Sequence, residues 1–316
     1  MRKFSRAGVM ALVVGLGLAV AGCEQVGVLK AQMAFKDANQ LYQRQNYAEA
    51  AAKYEEALAA NPELTEAFFC HGNSYANQYR PTRAGDPDND ALIQKAIENY
   101  KTAAQRAEDP AIKQLALQYL VNAFGPEKLN DPSQQEPLLQ QMIDMDPNEP
   151  GNYFVLANVY EQSGEYERAE ELLIKARDVA PNNPAVYTTL AGFYNRQGLF
   201  DKTMEALHAR AAKEPNNPEA FHLIATYYWE KAYEDFTTPR ADKVKYIQAG
   251  HEAADKAIEL KPDYADALTY KGLLLGAQAL IETDPQLQQE LKRRADEFRE
   301  QSIEIRDKQR ASGTGD

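Results

Sequence analysis

The apolar positions of this chain recur at three- and four-residue steps in short runs, and the runs themselves recur every 34 residues. Between Pro150 and Pro181, Tyr153, Leu156, Ala157 and Tyr160 fall on one face of a first helix, and Tyr166, Ala169, Leu173 and Ala176 on one face of a second. Gly164 supplies the turn between them, and Pro181 stops the second helix. A step of 34 carries Pro147 to Pro181 to Pro215, Tyr153 to Tyr187 to Phe221, Leu156 to Leu190 to Ile224, and Tyr160 to Tyr194 to Tyr228. Asn183-Pro184 and Asn217-Pro218 each put a side-chain acceptor at an N-cap and proline at the first helical position. Such a period predicts stacked two-helix units, each burying its apolar face only against its neighbours, with function spread over an extended surface.

These residues resemble the tetratricopeptide repeat, whose pattern runs aromatic, leucine, glycine or alanine, tyrosine, glycine, alanine, aromatic, alanine, proline. Tyr47, Ala50, Tyr54, Ala57 and Pro62 match in a first unit, and Phe68, Gly72, Tyr75, Ala96, Tyr100 and Ala103 in a second. Phe221, Ala225, Tyr228, Ala257 and Pro262 mark a sixth, and Leu268, Gly272 and Leu275 begin a seventh. The third unit, about 111–147, departs most, with Gln135 in an alanine position and Gly125-Pro126 expected to break its first helix early. The resemblance covers about 31–300. It implies an all-α, right-handed superhelical solenoid of about seven hairpins over 31–310, acting as a binding scaffold for peptides or proteins. A polar helix from Asp284-Pro285 to Arg310, with Leu287, Leu291, Ala295 and Phe298 as its apolar stripe, is expected to cap the array, and 311–316 to be a disordered tail.

The N-terminus carries a second signal. Arg2, Lys3 and Arg6 precede an apolar run from Val9 to Val20 that is short for a membrane span and ends in small residues, which reads as a secretory signal over 1–22. Val20-Ala21-Gly22-Cys23 resembles the bacterial lipobox, which implies cleavage before Cys23, diacylglycerol on its sulfur, and an acyl chain such as palmitate on the new amine. At about 0.8 kcal/mol per buried methylene, several chains make a durable anchor. Residues 23–30 are then an acylated tether, and Glu24 in place of aspartate implies sorting to the periplasmic face of the outer membrane.

Charge and chemistry narrow the function. The formal charge is −12, and loss of the three basic residues within 1–22 makes it −15, which repels nucleic acid and limits the membrane contact to the lipid anchor. The four histidines lie in different helices, no phosphate loop or hydrolase motif occurs, and neither a cofactor, a metal nor an enzymatic activity is expected. Cys70 reads as a small buried or half-buried residue. Asp86, Asp88 and Asp90 open like a calcium loop, but Ala91 and Ile97 stand where glycine and glutamate belong, and a polar loop with Asp90 as the next N-cap fits better.

Two surfaces are candidates for partner binding. Asn39, Asn73 and Asn158 each follow the small residue of the motif, with Phe35, Phe69 and Phe154 one helical turn earlier and Trp229 at a related place, and together they predict a peptide-binding groove of amides and aromatic faces. Packing of the phenylalanines between hairpins explains the same pattern. About 12 extra residues around Arg80–Asp90 and about 13 around Ala232–Lys245 are expected as loops between first and second helices. The favoured reading is a non-enzymatic scaffold for envelope proteins or peptides in envelope assembly. The alternative is an architectural subunit of an export, pilus or polysaccharide secretion complex, working through the insertions.

Overall fold

The computed structural model describes residues 6–312, with side chains from residue 25 onward. The side chains of the expected signal peptide 1–22 and of Cys23, and the tail 313–316, lie outside the described residues. The described chain forms fourteen α-helices paired into seven hairpins. The first three pairs are α1 (Arg6–Gln43) with α2 (Tyr47–Ala60), α3 (Thr65–Gln78) with α4 (Pro87–Arg106), and α5 (Pro110–Phe124) with α6 (Pro132–Met145). The next two are α7 (Pro150–Gln162) with α8 (Tyr166–Val179), and α9 (Pro184–Arg196) with α10 (Phe200–Lys213). The last two are α11 (Pro218–Tyr233) with α12 (Arg240–Leu260), and α13 (Ala265–Ile281) with α14 (Pro285–Ala311). Among the described residues, no helix is long and apolar enough to cross a membrane.

Helix boundaries follow local chemistry. Asn183 and Asn217 accept hydrogen bonds from the backbone N–H groups of Ala185 and Glu219, both at 3.0 Å, so the two expected N-caps form with Pro184 and Pro218 just inside. Asp109 and Asp284 cap α5 and α14 in the same way, each at 2.8 Å. Between the helices of a hairpin the chain passes through the left-handed region, at Gly164 (φ 78°) and Gly198 (φ 71°). Gln45 occupies the equivalent place in the first hairpin at φ 64°, without glycine's freedom.

The core repeats too. Ala50 and Ala57, Ala96 and Ala103, and Ala169 and Ala176 are fully buried at the motif's alanine positions, where a small side chain lets helices approach closely. Tyr54 and Tyr100, each 1 % exposed, fill the space between the helices of the first two hairpins. Gly72 of α3 meets this filling directly: a Cβ there would stand 2.7 Å from the Tyr100 ring and 3.1 Å from the Ala96 carbonyl oxygen.

Several expectations need correction. The extra residues of hairpins two and six are only partly loops. In hairpin two they form a 3-10 turn at Pro81–Arg83 and lengthen α4 to 20 residues; in hairpin six α12 reaches 21. The N-cap of α4 is Asp86, which accepts from the N–H groups of Asp88 (3.1 Å) and Asn89 (3.4 Å), and Asp90 instead accepts from the N–H of Gly85. Pro87 fixes this start, because proline is favoured at the first helical position. The first helix of the third hairpin is not cut short: α5 has 15 residues and ends at Phe124, before Gly125. Gln135 compensates for the missing alanine by donating from its amide to the Val121 carbonyl at 3.0 Å. The capping helix is the second helix of the seventh hairpin, α14, in which Leu291 is buried and Leu287 is exposed.

By contacts the chain divides into two compact units, residues 1–147 with 158–164 and residues 148–157 with 165–316, so that α7 contributes to both.

Candidate functional site

The expected groove residues take varied places. In the first unit, Asn39 accepts a hydrogen bond from the Tyr54 hydroxyl at 2.5 Å and Asn73 one from the Tyr100 hydroxyl at 2.7 Å. In both hairpins the asparagine of the first helix thus fastens the aromatic residue of the second. Phe35 packs against Tyr54, with ring centroids 5.7 Å apart. Phe69 lies between Tyr100 of its own hairpin and Tyr119 of the next, 5.9 and 5.0 Å away. Asn158 is exposed and accepts from Gln162 at 2.7 Å, while Phe154 is half-buried. Cys70 is half-buried, and burial pushes its thiol up to about 11, so it is a poor nucleophile.

A second set of polar contacts joins neighbouring hairpins. The Tyr160 hydroxyl donates to Glu136 at 2.7 Å, and the Tyr194 hydroxyl to Glu170 at 2.9 Å, in both cases 24 residues back along the chain. Lys202 also donates to Glu170, at 2.5 Å, and with that donation as the largest cause the carboxyl is held below its usual value. In the next repeat Tyr228 meets His208 at 3.3 Å.

Trp229 leads to a feature the sequence reading did not identify. In the second unit α11, α13 and α14 enclose an open cavity of about 480 Å³. Trp229 stacks on Tyr233 (centroids 5.2 Å apart, planes at 14°) and meets the Tyr270 ring edge-on at 5.6 Å. Opposite stand Leu273 and Leu280, and Gly276 leaves its wall open, since nothing lies within 4 Å of where a Cβ would be. Leu280 is 65 % exposed, Tyr233 46 % and Leu273 38 %. Clustered apolar exposure of this kind marks binding surface more often than isolated exposed leucines do. Lys292 and Arg299 of α14 line the same cavity, and Arg299 pairs with Asp296 at 3.1 Å.

A smaller cavity of about 390 Å³, lined by residues of α12 and α13, is mixed in character. Arg240 closes one side by donating to the Ile281 carbonyl at 2.6 Å. His251 sits at its edge, 3.1 Å from Gln278, and is pushed down to about 4, first by burial and then by the Lys271 ammonium. Lys271 is itself buried and pairs with Asp255 at 2.6 Å. His71 packs between the rings of Tyr54 and Tyr75, and His222 against Tyr264 and Tyr270. Among the described residues, no group of His, Cys, Asp and Glu is placed to hold a metal ion.

Comparison with known proteins bears on the fold. Residues 130–188 match the family model of the tetratricopeptide repeat. The crystal structure of the C-terminal part of a tetratricopeptide-repeat-containing protein from Cytophaga hutchinsonii superposes with a TM-score of 0.57 at 15 % identity, over 86 % of this chain and 98 % of that one. PilW, a type IV pilus biogenesis factor, gives 0.42 at 16 % identity over 75 % of this chain and 96 % of its own. YrrB, described as having an unusual peptide-binding site, gives 0.41 at 17 % identity over 60 % and 89 %. No curated protein matches the sequence. The repeated hairpin motif, the match over residues 130–188 and the shared fold agree on a tetratricopeptide-type fold of stacked helical hairpins.

Proposed function

We propose that this protein is a lipid-anchored, non-enzymatic scaffold of the bacterial envelope that binds protein or peptide partners, with the cavity between α11, α13 and α14 as its principal recognition surface. The observation that carries the binding role is that cavity: an aromatic pair, Trp229 and Tyr233, shares it with exposed leucines, and buried aromatic anchors dominate the energetics of protein interfaces. Attachment through Cys23 and placement on the periplasmic face of the outer membrane rest on Val20-Ala21-Gly22-Cys23 and Glu24. Asn158, exposed on α7 with its oxygen accepting from Gln162, is a further candidate contact, whereas the amide oxygens of Asn39 and Asn73 serve as struts within their own hairpins.

A second reading, architectural contact through the insertions, is favoured by Phe236. This residue is 90 % exposed on the connection between α11 and α12, and a solvated phenylalanine is an unfavourable residue to leave uncovered. One crosslinking capture from native membranes separates the two, using the intact chain, a Leu273→Asp/Leu280→Asp variant and a Phe236→Ser variant. Loss of a defined partner with the leucine variant supports recognition in the cavity. Loss only with Phe236→Ser supports the architectural reading, and retention with both rejects each surface. Labelling with radioactive palmitate, present in the intact chain and absent after Cys23→Ser, tests the anchor.

A further inference from the structure

The second helices of three hairpins can be set in register by their close contacts. Gly72 of α3 lies against the Ala96 carbonyl of α4, and Gly272 of α13 against the Ala295 carbonyl of α14, with 3.1 and 3.0 Å between the oxygen and the site of a Cβ. Ala96 stands seven residues before the motif alanine Ala103, and Gly250 seven before Ala257, so Ala96, Gly250 and Ala295 hold one position on α4, α12 and α14. On α12, the face around that position receives the first helix of the following hairpin. Leu274 of α13 lies over Gly250, Gln278 bonds His251, and Ala277 packs with Ile247. On α14 the corresponding residues are Ala295, Asp296 and Lys292, and together with Arg299 they line the apolar cavity.

We propose that this exposed face of the seventh hairpin receives an acidic amphipathic helix from a partner protein, packed on α14 as α13 packs on α12. The inference rests on the scaffold reading above and specifies the conformation and charge of what is bound. The cavity wall runs along α13 from Thr269 to Leu280, about 17 Å at 1.5 Å per residue, which matches roughly three turns of a docked helix. Its apolar part fits large aliphatic or aromatic side chains at helical spacing, the usual helix-in-groove arrangement. The rim selects charge. Where α12 offers Ile247 and Ala254 to its neighbour, α14 offers Lys292 and Arg299, in a chain whose net charge is −12. Carboxylates on the flanks of the incoming helix complement Lys292 and compete with Asp296 for Arg299, while a basic helix would be repelled.

Trp229, the chain's single tryptophan, lines the cavity and reports occupancy by its fluorescence. The probes are two stapled 18-residue helices with one shared leucine face, flanked by glutamates in one and lysines in the other, and a proline-interrupted version of the acidic peptide. With the full chain, the acidic helix is expected to shift Trp229 emission saturably and the lysine helix to bind at least tenfold more weakly. Lys292→Glu/Arg299→Glu should invert that order, and Leu280→Asp, a change at an exposed position, should remove binding without altering the helical circular dichroism. Equal affinity for both helices overturns the charge argument. Binding of the interrupted peptide as tightly as the helix overturns the helical one while leaving the scaffold reading intact. Silence of every probe, with self-association in sedimentation that Leu29→Asp on α1 abolishes, would assign the surface to a second copy and overturn the proposal.

Discussion

Gly72→Ala adds one methyl group at a close contact between α3 and α4. The new Cβ would stand 2.7 and 2.8 Å from two carbons of the Tyr100 ring, closer than real Cβ contacts occur, and that ring is 1 % exposed and tied to Asn73 at 2.7 Å. Either the ring rotates and strains that hydrogen bond, or the helices part. Overpacking of this kind costs about 1–3 kcal/mol, while replacing glycine by alanine inside a helix returns about 1 kcal/mol, so the expected net loss is centred on about 1 kcal/mol. The first hairpin indicates that the upper end is not reached, because Ala38 is accommodated in the same cluster as Tyr54. Gly276→Ala on α13 is the control: nothing lies within 4 Å of its Cβ position, so the same exchange should stabilise by about 1 kcal/mol. Urea unfolding followed by circular dichroism should place the Gly72→Ala midpoint about 0.5 M below the parent and the Gly276→Ala midpoint above it. Hydrogen exchange should localise the first loss to α3 and α4, since repeat arrays unfold by parts. A Gly72→Ala midpoint at or above the parent value would refute the argument.

Three further predictions follow from local features. Gln45→Gly relieves a left-handed backbone at φ 64° and should raise the unfolding midpoint by the equivalent of about 1 kcal/mol, whereas Gly164→Val at φ 78° should lower it. Tyr100→Phe removes the hydroxyl bonded to Asn73 and should cost about 1 kcal/mol in chemical unfolding, with no change in Trp229 emission. His251 is pushed down to about 4 by burial and by Lys271, so the unfolded chain binds this proton first; stability present above pH 6.5 should be lost as pH falls toward 4, and His251→Asn should flatten that part of a thermal-unfolding pH profile. Asp255, Glu252, Lys271 and Arg294 are the charged groups facing His251, and all four are kept in His251→Asn, so the difference between the two profiles isolates the imidazole.

How far the sequence could be read depended on whether a signal was local. The caps at Asn183 and Asn217, the proline starts and the turn at Gly164 are set within four residues, and each forms as the spacing requires. Gln45 could not be read in this way, because the residue is ordinary and only its place in the repeat demands a left-handed backbone. Asp86 and Asp90 are nearly interchangeable as sequence signals, and Pro87 decides between them. The asparagines were legible as equivalent positions but not in their partners: the bond from Tyr100 to Asn73 spans 27 residues across an insertion of irregular length. The cavity was least legible. Leu273, Leu280 and Lys292 are ordinary residues at ordinary spacing, and only the packing of α13 on α14 brings them to one exposed face. Trp229 was its one visible marker.

The contacts of Tyr160 with Glu136 and of Tyr194 with Glu170 share one sequence separation, 24 residues. Excision of any 34 consecutive residues between Glu170 and Tyr228 would bring Tyr228 to the separation from Glu170 that Tyr194 now has. The tyrosine would find the same carboxylate, and the cut would heal itself. Gene rearrangement can therefore shorten or lengthen this part of the chain by whole hairpins without inventing a new joint, so the number of hairpins is a heritable variable.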